Sequence, residues 1–364
     1  MEVRIGQLKQ LLKVYLKKGV PPMVHGPPGI GKSDSVRVAC REYAKQLGLE
    51  FEEGIPSEEN VNKFVLCDQR VSQMDPSDLR GIPWRDGDRT RWLAPNWLPT
   101  KGQGCLFFDE INLAAPSVQA SLYQLILDKR LGDYVLPEGW AIIAAGNRAI
   151  DKANVFPMAA PLKNRFSHCT LVPPSGDEWI DWALANNIRS DIIAFIAFKP
   201  SLLYKFDATS KDDAFATPRM WARASYLTLE TDYKIKGEGK NDILEEEFLL
   251  VASCVGEGVA LEYQGFIRLK NKVKIEDILN NPEKVAELVE PGIAYSLASG
   301  LAERYKSKKK DLNRILAVVG YMKADIAGFM FRLMRKMKPN EFVNDMMSLK
   351  EWDKLSAKYS TYFL

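Results

Sequence analysis

An eight-residue segment near the amino terminus constrains the fold of this 364-residue chain more than any other feature. Residues 26–33 read Gly-Pro-Pro-Gly-Ile-Gly-Lys-Ser, which fits the pattern G-x-x-x-x-G-K-S/T of a phosphate-binding loop. An apolar stretch, Pro22–His25, precedes the loop, and apolar residues at helical spacing follow it as far as Gly48. The segment predicts a buried strand, a phosphate loop and a helix in succession.

The residue types of this loop suit the binding of a nucleotide. Glycines let backbone N–H groups close around phosphate oxygens, and the amino terminus of the helix adds a favourable dipole. Lys32 is expected to reach the β- and γ-phosphates, and the Ser33 hydroxyl to bind Mg²⁺. The predicted nucleotide-binding residues of the loop are Gly26, Pro27, Pro28, Gly29, Ile30, Gly31, Lys32 and Ser33.

Two further apolar stretches predict buried parallel strands with polar residues at their carboxyl ends, where such sheets bind ligands. Cys105–Phe108 is followed by Asp109 and Glu110, and Trp140–Ala145 leads to Asn147. Asp109 is expected to contribute to nucleotide binding by holding Mg²⁺ through its water shell. Glu110 could polarise the attacking water as a general base. Asn147 could orient that water or contact the γ-phosphate, and the alternative is an ordinary turn residue.

The base of the nucleotide follows from a missing motif. The sequence contains no Asn-Lys-x-Asp segment of the kind that reads guanine, so adenine is favoured. The chain is therefore expected to bind ATP with Mg²⁺ and to hydrolyse it.

Together these motifs resemble the AAA+ ATPases and, within them, the MoxR-like branch. The match covers residues 1–230. Besides the loop, the segments that carry it are 75–81, 109–112 with the helix that follows, 161–166 and 216–221.

The resemblance implies roles for two arginines. Arg165 resembles the arginine finger that reaches the γ-phosphate of a neighbouring subunit, and Arg219 resembles the sensor 2 arginine of the lid. Thr217 and Pro218 form a favourable helix start, which places Arg219 in the first turn. The family usually has Asp before the finger arginine, but this chain has Asn164. Arg148 competes for the contact in trans, and a surface ion pair is the alternative for both family arginines.

The resemblance also implies the fold class, an α/β protein with a P-loop AAA+ parallel-sheet core and a helical lid, plus an additional all-α C-terminal domain. We expect the nucleotide-binding domain over residues 1–173 and the lid over 174–235. A helical domain of unknown role is expected over 241–364, after a polar stretch, and one helical pattern there covers Ile315–Met337.

Residues 75–98 resemble the helix 2 insert of the branch, although their pattern predicts irregular structure. Trp84 and Trp92 are candidate contacts to a protein client, and the alternative is that the tryptophans pack the insert onto its own core. Interleaved arginines and aromatic residues also occur in single-strand nucleic-acid sites. Four arginines are balanced here by four aspartates, which disfavours nucleic acid.

Composition narrows the functional class further. The five cysteines are odd in number and widely spaced, which predicts small buried residues rather than a disulfide framework or a zinc site. Only two histidines are present, so metal cages and histidine-based nucleophilic catalysis are disfavoured. No apolar stretch is long enough for a membrane span or a signal peptide, so we expect a cytoplasmic protein without membrane contact.

The predicted function is ATP hydrolysis coupled to the remodelling or maturation of a protein client. A finger that acts in trans requires a homo-oligomer, and the family resemblance implies a hexameric ring and often a partner with a von Willebrand A domain. Two alternatives remain open: a nucleic-acid-stimulated motor or loader, and an ATP-binding scaffold with little turnover. The net charge of +3, from 50 basic and 47 acidic residues, does not choose between protein and nucleic acid.

Overall fold

A computed structural model describes residues 1–151, 156–210, 212–229, 245–288 and 290–348. The chain divides into two compact units, residues 1–174 and residues 175–364. The first unit is an α/β domain and the described part of the second is helical.

The elements of the first unit alternate between strands and helices. They are β1 (Glu2–Val3), α1 (Ile5–Lys18), β2 (Pro22–His25), α2 (Lys32–Gln46), β3 (Phe51–Glu53), β4 (Phe64–Arg70), α3 (Pro76–Arg80), β5 (Ile82–Asp86), β6 (Arg89–Leu93), β7 (Gln103–Asp109), α4 (Pro116–Asp128), β8 (Arg130–Leu131), β9 (Tyr134–Val135), β10 (Trp140–Gly146), α5 (Ala160–Lys163) and β11 (Ser167–Leu171). Short 3-10 turns cover Val71–Gln73 and Ala149–Asp151.

The main sheet has seven parallel strands in the order β1-β11-β2-β10-β7-β4-β3. The central strands β7 and β10 are almost entirely buried, which explains why their sequences are continuous apolar runs. The strands predicted around the nucleotide motifs are confirmed, and β2 has the predicted bounds. β2 lies between β10 and β11, where the strand order reverses. The loop after β2 is therefore at the switch point where open α/β sheets bind ligands.

Residues 75–98 form a short helix, α3, and a hairpin, β5–β6, where irregular structure was expected. Gly87 forms part of the turn with φ near +60°, a conformation that favours glycine. Every residue of both strands is exposed. The usual alternation of apolar and polar residues is absent because neither face of the hairpin is buried.

The second unit contains ten helices in its described residues. They are α6 (Gly176–Ala185), α7 (Ser190–Phe198), α8 (Pro218–Leu229), α9 (Glu245–Val255), α10 (Glu257–Lys272), α11 (Ile275–Asn280), α12 (Pro291–Ser307), α13 (Leu312–Val319), α14 (Ala324–Met337) and α15 (Pro339–Met347). Further 3-10 turns cover Pro200–Leu202, Pro282–Glu287 and Lys309–Asp311.

The helices of the second unit share one hydrophobic core, which extends from Trp179 to Met346. Phe195, Trp221 and Tyr263 lie at its centre with their rings in mutual contact. The core takes residues from both predicted helical regions, and the boundary predicted between residues 235 and 241 lies outside the described residues. The parallel sheet and this helical region confirm the predicted fold class.

One helical pattern is divided in the structure. The stretch Ile315–Met337 contains the end of α13 and all of α14, with a break between them that begins at Gly320. Gly is a poor helix former, and the chain turns there before α14 begins.

The five cysteines are buried and unpaired, as the sequence predicts for small apolar residues. Among the described helices, none combines the length and the apolar character that crossing a bilayer requires.

Candidate nucleotide site

The phosphate loop connects the end of β2 to the first residue of α2. Gly29 and Gly31 have φ values of 76° and 95°, which side-chain-bearing residues rarely adopt. No side chain caps the start of α2 in the described part of the chain, so its first backbone N–H groups are available to an anion. The local sequence therefore builds the cradle that the motif predicts.

Lys32 joins the loop to the neighbouring strand end. Its buried ammonium donates hydrogen bonds to the carbonyl oxygens of Gly26 (2.7 Å) and Pro27 (2.9 Å) and to Oδ1 of Asn147 (3.0 Å). All three ammonium protons thus point to oxygen atoms at the switch point. The same charge would bind the oxygens of a phosphate in this position.

Ser33 and Asp109 form the second pair of the site. The Ser33 hydroxyl donates to Oδ2 of Asp109 at 2.6 Å, although 76 residues separate them in sequence. A hydroxyl and a carboxylate are hard oxygen ligands of the kind that Mg²⁺ prefers. Their convergence beside the phosphate loop fits a magnesium ion bound to a nucleotide.

Glu110 occupies an unusual backbone position directly after Asp109. Its φ is 56°, in the left-handed region that costs a non-glycine residue roughly 1–3 kcal/mol. The Asp109 carboxylate accepts a hydrogen bond from the Glu110 backbone N–H at 2.9 Å. The left-handed turn gives the two consecutive carboxylates different directions, as separate roles in metal binding and proton transfer require.

Ser72 is a residue of the site that the sequence analysis did not identify. It lies in the 3-10 turn after β4, and its hydroxyl donates to Oε2 of Glu110 at 2.8 Å. No local motif marks it, because the contact depends on β4 being the neighbour of β7. This hydrogen bond restricts the directions that the Glu110 carboxylate can take.

The two candidates for a contact in trans differ in their surroundings. Arg148 donates two side-chain hydrogen bonds to the buried carboxylate of Asp151, at 3.1 and 2.7 Å. Arg165 follows α5 closely and its side chain is exposed, without a hydrogen bond or ion pair to the described part of the chain. Arg165 can therefore approach a second molecule without breaking a contact, whereas Arg148 would leave a buried charge behind.

Arg219 lies in the second unit, in the first turn of α8, and is exposed. Thr217 caps this helix, since its hydroxyl oxygen accepts a hydrogen bond from the backbone N–H of Met220 at 3.1 Å. The predicted helix start is thus confirmed, and a role of Arg219 in nucleotide sensing stays a prediction.

The three tryptophans of the insert have different surroundings. Trp97 is buried, packs edge-on against Phe108 and donates from Nε1 to the carbonyl oxygen of Asp78 at 3.1 Å. Trp84 and Trp92, on the hairpin, are 62% and 41% exposed. Packing onto the core therefore explains Trp97, and it does not explain the two candidate client contacts.

The only two histidines of the chain lie on neighbouring strands and bind each other. Nε2 of His25 and Nδ1 of His168 are 2.9 Å apart, and Nε2 of His168 lies 2.8 Å from the carbonyl oxygen of Lys163. A carbonyl only accepts, so a neutral His168 donates from Nε2 and accepts at Nδ1, and His25 then donates from Nε2. The pair therefore links the residue before Gly26 to the segment that carries Arg165.

Acid is expected to weaken the fold through His25. Burial, the His168 ring and the Lys32 ammonium lower the pKa of His25 to about 4, from 6.5 without these influences. A lowered folded-state pKa means that this contribution to stability is complete above pH 6.5 and is lost as the pH falls towards 4. Urea unfolding across this range should show a smaller acid-induced loss of stability for His25→Gln than for the unchanged protein. Equal losses of stability in the two proteins would contradict this role of His25 in the acid sensitivity of the fold.

Comparisons with known proteins give distant likenesses only. No protein-family model matches the sequence, and no curated protein is similar to it in sequence. Among solved structures, NtrX from Brucella abortus is 13% identical with a TM-score of 0.38, over 90% of this chain and 67% of NtrX.

Two other solved structures are similarly distant. A mutant of RuvB from Thermotoga maritima is 14% identical with a TM-score of 0.36, over 87% of this chain and 81% of RuvB. ORC2 from Aeropyrum pernix, solved in ADPNP–ADP complexes, is 11% identical with a TM-score of 0.37, over 94% of each chain. Likenesses at these scores carry no functional conclusion, so any function must be supported by this chain's own residues.

Proposed function

We propose that this chain is a Mg²⁺-dependent ATPase of the AAA+ superfamily. The observation that carries the proposal is the convergence of Lys32, Ser33 and Asp109 at the switch point of a parallel sheet. This arrangement supplies a cation for the phosphates and oxygen ligands for the metal within one short loop and one strand end.

The residues divide the chemistry between them. The loop N–H groups and Lys32 would hold the β- and γ-phosphates, while Ser33 directly and Asp109 through water would hold the metal. When bound, Mg²⁺ supplies positive charge that offsets the charge of the phosphates. Glu110 accepts a proton from the attacking water. The water oxygen bonds to the γ-phosphorus, and the bond between the γ-phosphorus and the oxygen that stays on ADP breaks. Asn147, held next to Lys32, orients the water or the γ-phosphate.

Measured turnover tests this assignment. The unchanged protein should release phosphate from ATP in the presence of Mg²⁺, more slowly from GTP, and not measurably after chelation of the metal. Lys32→Ala should weaken nucleotide binding, because it removes the buried cation of the loop. Absence of Mg²⁺-dependent ATP hydrolysis over a wide range of protein concentrations would refute the enzyme assignment.

We further propose that hydrolysis requires a ring in which Arg165 completes the site of the neighbouring subunit. The exposed guanidinium of Arg165, which has no ion pair among the described residues, supports this proposal, as does the contact of Arg148 with Asp151. Six subunits are the expectation of the family resemblance.

The finer proposal is a MoxR-type remodelling ATPase whose client is a protein, and the family resemblance adds the expectation of a von Willebrand A domain in that partner. The exposed hairpin between β4 and β7, with Trp84 and Trp92 on its surface, supports a contact outside the ATPase core. Exposed tryptophans keep much apolar surface in contact with water, so a partner that covers them gains free energy.

The hairpin is expected to determine which proteins stay bound to a hydrolysis-deficient Glu110→Gln variant. Replacing Trp84 and Trp92 by Ser in that variant should release these proteins and leave nucleotide affinity unchanged. Tyr226→Ser, at a 62% exposed aromatic residue of the second unit, is the matched control. The same bound proteins in all variants would contradict the client contact, and salt-sensitive stimulation of hydrolysis by DNA would favour a nucleic-acid motor.

A further inference from the structure

Asn112 lies three residues after Asp109 and contacts both Asn147, at the end of β10, and Phe156, in the segment that leads to Arg165. It is 8% exposed, and its side-chain Nδ2 donates a hydrogen bond to the backbone carbonyl oxygen of Asn147. Its Oδ1 is buried without a hydrogen-bond partner in the part of the chain that the structure describes. Burial of an amide oxygen without a hydrogen bond costs folding free energy, which points to a role of Asn112 beyond packing.

Gly146 is the residue that lets this amide lie so close to β10. A Cβ atom at position 146 would be 2.2 Å from Oδ1 of Asn112 and 2.9 Å from the end of the Met23 side chain. Both distances are shorter than a normal contact of a Cβ atom. The Asn112 amide cannot easily move aside, because it is hydrogen-bonded to the backbone of Asn147. The Asn112 side chain and Gly146 therefore fit each other as a pair.

Backbone hydrogen bonds join residues 111 and 112 to two other parts of the chain, the end of β10 and the segment before α5. The N–H of Ile111 donates to the carbonyl oxygen of Ala145 at 3.1 Å, and the carbonyl oxygen of Asn112 accepts from the N–H of Phe156 at 2.8 Å. Phe156 begins the described segment that continues through α5 to Arg165. Asn112 thus binds the strand end with its side chain and the Arg165 segment with its backbone.

Asn147 is the member of this arrangement that faces the phosphate loop. Its Oδ1 accepts a hydrogen bond from Lys32, while its own carbonyl oxygen is held by Asn112. The side-chain oxygen and the backbone carbonyl oxygen of Asn147 each accept a hydrogen bond, and together these bonds restrict the rotation of its side chain. Loss of the Asn112 contact would free the peptide group after Asn147 to rotate, and the side-chain amide would leave its position.

We propose that Asn112 is a positioning residue for hydrolysis, which keeps Asn147 directed at the γ-phosphate and the Arg165 segment in place. The proposal rests on the proposed ATPase function and adds a residue to which neither the P-loop motif nor the strand-end acids assign a role. Among the described residues, Asn112 forms hydrogen bonds to Asn147 and Phe156 and none to residues 26–33 of the proposed nucleotide loop, so its loss should affect turnover far more than affinity.

The group at position 112 must be able to donate a hydrogen bond, since its partner is a carbonyl oxygen. Leu has a similar size and cannot donate, and an ionised Asp has nearly the same shape and would repel the carbonyl. We expect Asn112→Leu to lower kcat about tenfold to a hundredfold, with Asn112→Asp at least as severe. The KM for ATP should stay within about threefold of the unchanged protein, because Lys32 keeps its hydrogen bonds to the Gly26 and Pro27 carbonyls and Ser33 keeps its bond to Asp109.

Gly146→Ala provides a second route to the same change. The added methyl group should displace the Asn112 amide from the other side, and the same fall in kcat at nearly constant KM is expected. Gln119→Leu is the matched control, because Gln119 is also a buried amide of the first unit that donates to a backbone carbonyl, that of Ala114 at 3.0 Å. It should lower thermal stability without a comparable loss of kcat.

The experiment measures kcat, KM and thermal unfolding for the unchanged protein and these four variants. A fall in kcat confined to the Asn112 and Gly146 variants supports the positioning role. Asn112 variants with unchanged kcat, or losses that match Gln119→Leu in both kcat and stability, would overturn it. Asn112 variants that do not fold while Gln119→Leu folds would assign Asn112 to folding and also overturn it. An unchanged protein without turnover would instead refute the ATPase function on which the inference rests.

Discussion

Glu110→Gln is expected to lower the turnover number for ATP by about 10² to 10⁴-fold, the usual contribution of a general base. The amide keeps the size of the side chain and cannot accept a proton from water. Affinity for ATP should be retained, because the proposed contacts to the nucleotide and its metal come from Lys32, Ser33 and Asp109, which the substitution leaves in place. Phosphate release under saturating ATP, together with a binding titration, measures both quantities.

Ser72→Ala is the matched comparison for this variant. It removes the hydrogen bond to Oε2 of Glu110 and leaves the carboxylate in place, so turnover should stay within about tenfold of the unchanged protein. If Glu110→Gln hydrolyses ATP as fast as the unchanged protein, another group is the base. If Glu110→Gln and the unchanged protein bind ATP and are equally inactive at concentrations at which the subunits are shown to assemble, the chain is an ATP-binding scaffold rather than an enzyme.

Arg165→Ala is expected to lower turnover by about 10³ to 10⁵-fold, as removal of a charge-stabilising arginine does in related phosphoryl transfers. The exposed guanidinium has no hydrogen bond or ion pair within the described ranges, so the variant should fold and bind ATP normally. A matched Arg148→Ala variant should lose stability instead, because it removes the guanidinium that pairs with the buried carboxylate of Asp151 and leaves the backbone N–H bond of residue 148.

Mixing Arg165→Ala protein with Lys32→Ala protein tests whether the arginine acts in trans. Each variant alone should be inactive. A random equal mixture should recover about a quarter of the unchanged protein's rate, because that share of head-to-tail interfaces joins an intact loop to an intact arginine. An inactive mixture, with mixed rings shown by labelled subunits, would place Arg165 outside the neighbouring site.

Much of the candidate nucleotide site could be predicted because its signals are local. The glycines of residues 26–33, the apolar strand before them and the helix after them depend only on neighbouring backbone geometry. Asp109 and Asn147 could be identified in the same way, since each directly follows or ends a buried parallel strand. The carboxyl ends of such strands meet at one edge of the sheet, whatever the order of the strands.

The residues that orient this machinery could not be identified in that way. Ser72 and Glu110 are 38 residues apart, and His25 and His168 are 143 apart. Each contact exists because two particular strands are neighbours in a particular register. A single sequence does not specify register between distant strands, so Ser72 looks like an ordinary turn residue and the histidines look isolated.

In the insert and in the second unit, too, local features could be predicted from the sequence and the contacts between distant segments could not. Residues 86–88 are a turn-prone Asp-Gly-Asp segment. The exposed hairpin around them could not be predicted, because neither of its faces follows the pattern of a buried strand. The helices after residue 174 could be predicted from their periodicity, and their common core depends on which apolar faces meet.

Local sequence was enough to establish that this chain contains a strand, a phosphate loop and a helix, with acidic and amide side chains at the ends of two further buried strands. Backbone conformation and hydrophobic periodicity act over a few residues, so these features can be read locally. The three-dimensional arrangement was needed to establish that Lys32 contacts Asn147, that Ser33 contacts Asp109, and which partners hold Glu110 and Arg148 in place. Side-chain hydrogen bonds form over about 3 Å, and strand order and register bring distant residues within that range.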